Sequence, residues 1–279
     1  MSALKEVERT RELILGTFNK LQFIEETHQY FLPKENGDLI ELDCVSHVTH
    51  KFQEPFDSEK IATNYAIKHG ETKDYWLDKW RYNSLKATTT GTLVHEFGES
   101  MAWLRNGHPE RVTESCKCKL HEKEGWLIPT RTKEEAIIKF WDDLHPNLHF
   151  VLAETKVYSG SHENAVKLNQ DYAGTFDLLM YYHDENNPKN SGLVIMDYKT
   201  NVDLYKDFSR QNNKMLYPPF NNMYNENLSL YTLQLSCYQI PLEDIGLKVV
   251  GRRIIWLKDD GTYELLPVPD VTKKLKSVL

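Results

Sequence analysis

No stretch of this 279-residue chain is both apolar and long enough to cross a bilayer, since a spanning helix needs about 20 consecutive apolar residues. The opening residues, M-S-A-L-K-E-V-E-R-T-R, carry no apolar core of a secretion signal, so the chain is expected to work in the cytoplasm. Cysteine is scarce. Cys44, Cys116, Cys118 and Cys237 form no C-x-x-C zinc pair, and a cytoplasmic setting argues against disulfides. Cys116-x-Cys118 lacks a second ligand pair, and all four are expected as free thiols. An excess of basic charge is also missing: 34 Lys and Arg stand against 41 Asp and Glu, a net charge of −7. That argues against a partner held by phosphate electrostatics alone. It does not exclude one, because carboxylates that hold cations raise the acidic count themselves. Repeats, low-complexity tracts and linker-like composition breaks are absent, so residues 1–279 read as one domain. Within it, residues 1–90 form an N-terminal hairpin and helices, and residues 91–279 form the core.

What is present is a clear alternation of helix and strand signals. Leu4, Val7, Ile14, Phe18 and Leu21 fall near one helical stripe, which predicts a helix over 4–21 that docks on its own core. His28–Leu32 and Leu39–Val45 flank a turn at Gly37 and read as a hairpin. Asp57 or Ser58 caps a helix running to His69-Gly70, and a second helix covers Thr72–Tyr82. Gly91 opens a third helix that stops at Asn106-Gly107. Cys116–Pro129 reads as polar and irregular. Thr132–Leu144 is helical, Leu148–Tyr158 is a strand carrying Glu154, and Leu228–Ile240 is a helix. Val249–Leu257 and Thr262–Val268 are strands around the turn Asp259-Asp260-Gly261. The order predicts an α/β fold, with a mixed central sheet flanked by helices and a helical N-terminal part.

The stretch Asp171–Thr200 organises the rest. Phe176–Tyr182 and Leu193–Met196 flank a turn rich in Asn, Pro and Gly, a hairpin signature. The second run is apolar at every position, which predicts burial on both faces. It ends in Asp197-Tyr198-Lys199. Alternation puts Asp197 and Lys199 on one face, and Asp177 can lie beside them from the partner strand. Two acids and a lysine at a buried strand end are costly without compensation. A divalent metal supplies it, and metal beside lysine points to phosphodiester hydrolysis.

Four short motifs follow in order: G-T-L-V-H at Gly91–His95, G-T-F-D at Gly174–Asp177, D-Y-K-T at Asp197–Thr200, and Q-L-S-C-Y at Gln234–Tyr238. Together they resemble the RecB-like branch of the PD-(D/E)xK nuclease superfamily, over roughly Trp80 to the C-terminus. Phe176 stands where the superfamily name has proline. The resemblance implies a restriction-endonuclease-like core, with His95, Asp177, Asp197 and the Tyr198 carbonyl as ligands of one or two Mg²⁺ or Mn²⁺ ions. It makes Lys199 the catalytic lysine and Glu154 a supporting acid. Gln234 and Tyr238 would face DNA near the scissile phosphate. No cysteine follows Cys237, so no iron–sulfur cluster is expected. The implied activity is that of a DNA nuclease, with an exonuclease acting on an end or a single strand in phage or bacterial recombination, repair or processing as the leading form. A site-specific endonuclease and a non-catalytic binder on a nuclease fold are the alternatives.

The long connection Asn201–Asn225 interleaves Lys206, Arg210 and Lys214 with Tyr205, Phe208, Tyr217 and Phe220. Cations at that spacing can meet phosphates while the rings stack on bases. The opposing expectation is that these aromatics anchor the loop to the domain.

Overall fold

The computed structural model describes residues 2–34, 36–112, 120–123, 126–160 and 168–279. Cys116 and Cys118 lie outside them. The fold is α/β, built on an open, mixed, eight-stranded sheet flanked by helices. The first helix, α1 (Ala3–Phe18), buries Val7, Thr10, Ile14 and Phe18. It packs on the strand β6 (Leu148–Tyr158), where the Arg11 Nε donates to the Val151 carbonyl at 2.9 Å. The arginine that interrupts the apolar stripe thus finds a backbone acceptor.

A short strand, β1 (Gln22–Ile24), precedes the expected hairpin of β2 (Gln29–Pro33) and β3 (Leu39–Cys44). Gly37 takes φ 89° in the β2–β3 turn, as a left-handed turn position requires. A further short helix, α2 (Val45–His50), follows β3 directly. Helix α3 (Ser58–His69) starts with Asp57 accepting from the Lys60 amide and ends at Gly70 with φ 72°.

The helix signals at Thr72–Tyr82 and Gly91–Arg105 belong to one helix, α4 (Lys73–Arg105), 33 residues long. The threonines and Gly91 between the two signals lower helix propensity without ending the helix. In the fold, the Thr88 and Thr92 hydroxyls bond back to the Ser84 and Thr88 carbonyls, and no Pro ends the helix. The expected boundary at residues 90/91 therefore falls inside a helix. Cys116–Pro129, expected to be irregular, includes a two-stranded hairpin, β4 (Leu120–Lys123) with β5 (Trp126–Pro129). Helix α5 (Arg131–Asp142) then leads to β6.

The sheet is centred on β7 (Tyr172–Tyr182) and β8 (Gly192–Lys199). β6 pairs antiparallel along β7. On its other edge β7 divides its partners: β8 takes Leu178–Tyr182 and β3 takes Tyr172 and Ala173. β8 is buried from Gly192 to Tyr198, as the continuous apolar run predicts. It pairs parallel with β9 (Val249–Leu257), which carries the edge strand β10 (Tyr263–Pro267). The crossover from β8 to β9 contains the short α6 (Asp207–Gln211) and α7 (Asn227–Asp244). A last short helix, α8 (Thr272–Leu275), closes against α7. No helix among the described residues is long and apolar enough to cross a membrane.

Two glycines let helices reach the sheet. A Cβ on Gly98 of α4 would sit 2.8 Å from the Tyr198 ring. One on Gly174 of β7 would lie 2.6 Å from the Tyr238 ring and 2.9 Å from Val45 Cγ2. Neither ring nor branched side chain can swing away freely, so Gly174→Ala should overpack this junction. We expect it to lower stability by about 1–3 kcal/mol, read as a reduced urea midpoint at unchanged slope.

Candidate metal centre

The β7–β8 ladder has its last registered pair at Leu178 and Met196. Beyond it the Tyr198 amide donates to the Asp177 carboxylate at 2.7 Å, so a side chain satisfies a backbone group where the strands part. β6 stays paired here: Ala153 opposes Leu178 and Thr155 opposes Phe176, which sets Glu154 across from Asp177. Glu154 has φ 43°, a left-handed conformation in mid-strand that costs a non-glycine residue about 1–3 kcal/mol and tends to occur at functional sites. His95, one turn before Gly98 on α4, completes the cluster. Its Nδ1 lies 3.3 Å from Asp177 Oδ2 and 3.9 Å from Glu154 Oε1.

His95, Glu154 and Asp177 can each offer a ligand atom within 4.8 Å of the others. One imidazole and two carboxylates suit Mg²⁺ or Mn²⁺, the nitrogen tilting the set toward Mn²⁺. The buried Asp197 supplies the fit test. It is 1 % exposed, its Oδ2 contacts the Lys199 ammonium, and its Oδ1 has no hydrogen-bond partner. Two buried acids near a third leave negative charge that protein cations only partly offset, and a divalent ion fits that deficit.

Burial and close charges together set the titration behaviour. Burial alone pulls the His95 imidazolium down, but Asp177 and then Glu154 outweigh it and hold His95 up at about 9. Burial followed by the Asp177 charge pushes Asp197 up to about 6, and the same two causes push Glu154 well above the ordinary carboxylate range. Burial also opposes ionisation of Asp177, yet His95, Lys199 and the Tyr198 amide keep it below its ordinary value. Lys199 is raised: burial works against its charge, but Asp197 and Asp177 prevail.

The expected residues sort into neighbours and outliers. Tyr198 turns its ring to Gly98 on α4, whereas Lys199 contacts Asp197 and lies 4.4 Å from the Tyr231 ring of α7. That matches the alternation read from the sequence. Asp177 joins His95 and Glu154, and Asp197 stays with Lys199. Gln234 donates to the Tyr238 hydroxyl at 2.9 Å, and both line a cavity of about 250 Å³ shared with His95, Glu154 and Asp177. A second cleft of about 670 Å³ opens on the Lys199 side of His95, with Lys86, Thr90 and Lys133 in its wall.

The connection 201–225 looks different from its sequence. It holds α6 and a bridge between Met215 and Tyr224, and Phe220 is fully buried against Phe52. Arg210 makes a paired bond to the buried Glu226 at 2.8 and 2.7 Å. Lys214 bonds Glu54 at 2.8 Å, while the Lys206 side chain is exposed. Phe208 and Tyr217 remain exposed. Sequence reasoning missed Tyr231, which is three residues before Gln234 and so on the same helical face. Its hydroxyl donates to Asn201 Oδ1 at 2.7 Å, fixing the ring that covers Lys199.

A scan against models of known protein families finds no match, and no curated protein sequence matches this chain.

Two outcomes follow from the geometry. Glu154→Gly should be more stable than Glu154→Ala by about 1 kcal/mol, because glycine alone adopts this φ without penalty. Thermal unfolding compares them, and calorimetry should find Mn²⁺ affinity lost in both. Equal stability would mean that Glu154 is unstrained. For His95, a folded-state pKa near 9 against an ordinary 6.5 gives stability that is full below pH 6.5 and lost as pH rises through 9. The metal-free protein should therefore lose thermal stability over that window, and His95→Gln should flatten the loss. Mn²⁺ affinity should rise over the same window, since a ligating imidazole must shed its proton.

Proposed function

We propose that this chain is a metal-dependent deoxyribonuclease with a restriction-endonuclease-like core, of the RecB-like PD-(D/E)xK type that its motifs resemble. One observation carries the reading: residues from four separated segments, His95, Glu154, Asp177 and the Asp197–Lys199 pair, converge where β7 and β8 part. A solvated strand end would not gather an imidazole, three acids and a lysine around buried positions.

His95, Glu154 and Asp177 would hold the metal, with Asp197 close by. One or two Mg²⁺ or Mn²⁺ ions, when bound, supply charge neutralisation, water activation and leaving-group stabilisation for phosphodiester hydrolysis. Lys199 keeps its charge through Asp197 and Asp177. Asp197 and Tyr231 hold its ammonium in place, where it can orient the attacking water or stabilise charge developing on the phosphate. Burial and the Asp177 charge favour the neutral form of Glu154 when no cation is bound. Lys86 adds positive charge to the cleft beside Lys199 that the strand's phosphates would use, whereas Lys133 in its wall is buried and committed to Asp259 and the Leu257 carbonyl.

End processing is the favoured form of the activity, and substrate topology tests it. Linear DNA should be degraded in Mg²⁺ or Mn²⁺ while closed circles survive; cutting of circles instead selects the endonuclease reading. Lys199→Ala and Asp197→Asn should each lower cleavage of linear DNA by about 10²–10³-fold with the circular dichroism spectrum kept. Near wild-type cutting by both variants would remove the catalytic assignment.

A further inference from the structure

The N-terminal hairpin brings a group of rings to the candidate centre that the hydrolytic reading does not use. Phe23 of β1 packs against His28 and Tyr30 with ring centroids 5.1 and 4.6 Å away. All three line the cavity that also holds His95, Glu154 and Asp177. Tyr30 is buried and anchored, its hydroxyl 3.0 Å from the Thr175 hydroxyl. Phe23 is half-buried and His28 is exposed, so these two leave ring surface accessible. His28 also borders an adjoining hollow of about 830 Å³, which places it between two open spaces.

The backbone holds His28 there. The turn Glu25–His28 closes with the His28 amide donating to the Glu25 carbonyl at 3.3 Å, and His28 takes φ 55°. Glycine or asparagine fills such a hairpin position at lower cost. The turn as well as packing holds the His28 ring edge-to-face with Phe23, at an interplanar angle of 84°. Lys156 approaches the same Phe23 ring, its ammonium 5.6 Å from the centroid.

We propose that Phe23 and His28 form a nucleobase-stacking subsite on the Glu154 side of the centre, for one unpaired base of a polynucleotide strand. The proposal rests on the nuclease reading above and adds where a base beside the cut is held. The two openings at His95 differ in chemistry: one is lined by lysines and threonines, suited to phosphates, and the other by rings, suited to a flat apolar face. Base–aromatic stacking tolerates any sequence, so the subsite would fix the strand's register without selecting its bases.

The test scans an abasic position along a short, fluorescently labelled single-stranded oligonucleotide, with binding read by anisotropy in EDTA and cleavage read separately in Mn²⁺. In the wild type, one abasic position should weaken binding by about tenfold and its neighbours far less. Phe23→Leu and His28→Gly, the second keeping the turn conformation, should weaken the intact oligonucleotide by a similar factor and abolish the extra loss at that position. Thermal unfolding confirms that both variants fold; if Phe23→Leu does not, His28→Gly decides alone. A wild type that cuts DNA yet shows a flat abasic profile overturns the subsite and leaves the nuclease reading standing. Variants that keep the position-dependent loss also overturn it. A wild type that neither binds nor cuts any strand overturns the nuclease reading together with this one.

Discussion

The hydrogen bond from the Tyr198 amide to the Asp177 carboxylate marks the constraint on which the site depends. A strand pair that continued its ladder past Leu178 and Met196 would use that amide between strands and leave no room for a buried acid. Parting there, the strands must still satisfy the group, and an ionised carboxylate does so. Once Asp177 is buried and charged, the neighbourhood follows: His95 is held protonated, while Glu154 and Asp197 are pushed toward their neutral forms. Burial is the first cause for Glu154 and Asp197, with the Asp177 charge added to it, whereas at His95 the charges of Asp177 and Glu154 overcome burial. A divalent ion bound among these groups would favour their charged carboxylate forms.

Glycine permits the approach. Gly98 lets α4 lie against Tyr198, and Gly174 lets the Tyr238 ring of α7 press on β7. These two contacts bring helices that carry His95 and the Gln234–Tyr238 pair to the parting of the strands. Strain appears at the third contributor, Glu154, whose left-handed backbone interrupts an otherwise paired strand. Stability given up at a polar site of this kind is common where geometry serves a ligand.

Much of this was legible in the sequence, and for identifiable reasons. Capping chemistry placed α3 between Asp57 and Gly70, and the continuous apolar run marked β8 as a buried strand. Strand alternation sets Asp197 and Lys199 on one face beside Asp177, and the resemblance carried by four ordered motifs adds His95. The continuity of α4 was hidden, because the threonines and Gly91 carry weak helix propensity and most of Asn83–Thr90 is exposed, with no apolar stripe to mark it as helix. The division of the acids was hidden as well. Which carboxylate joins His95 depends on where β7 and β8 part, a property of pairing and not of spacing. The connection 201–225 was the least legible: of its rings and cations the fold buries Phe220 and pairs Arg210 with Glu226, while Lys206, Phe208 and Tyr217 stay exposed. Composition cannot distinguish a free cation from one with a buried acid waiting for it.

A crystal soaked in Mn²⁺ and measured for anomalous scattering addresses the central claim most directly. The account predicts a peak bounded by His95, Glu154 and Asp177, with oxygen ligands about 2.0–2.2 Å away or slightly longer. Its loss in Glu154→Ala crystals would show that the site is built by these residues. Density with manganese only at exposed surface acids, and His95 turned away from Asp177, would contradict it.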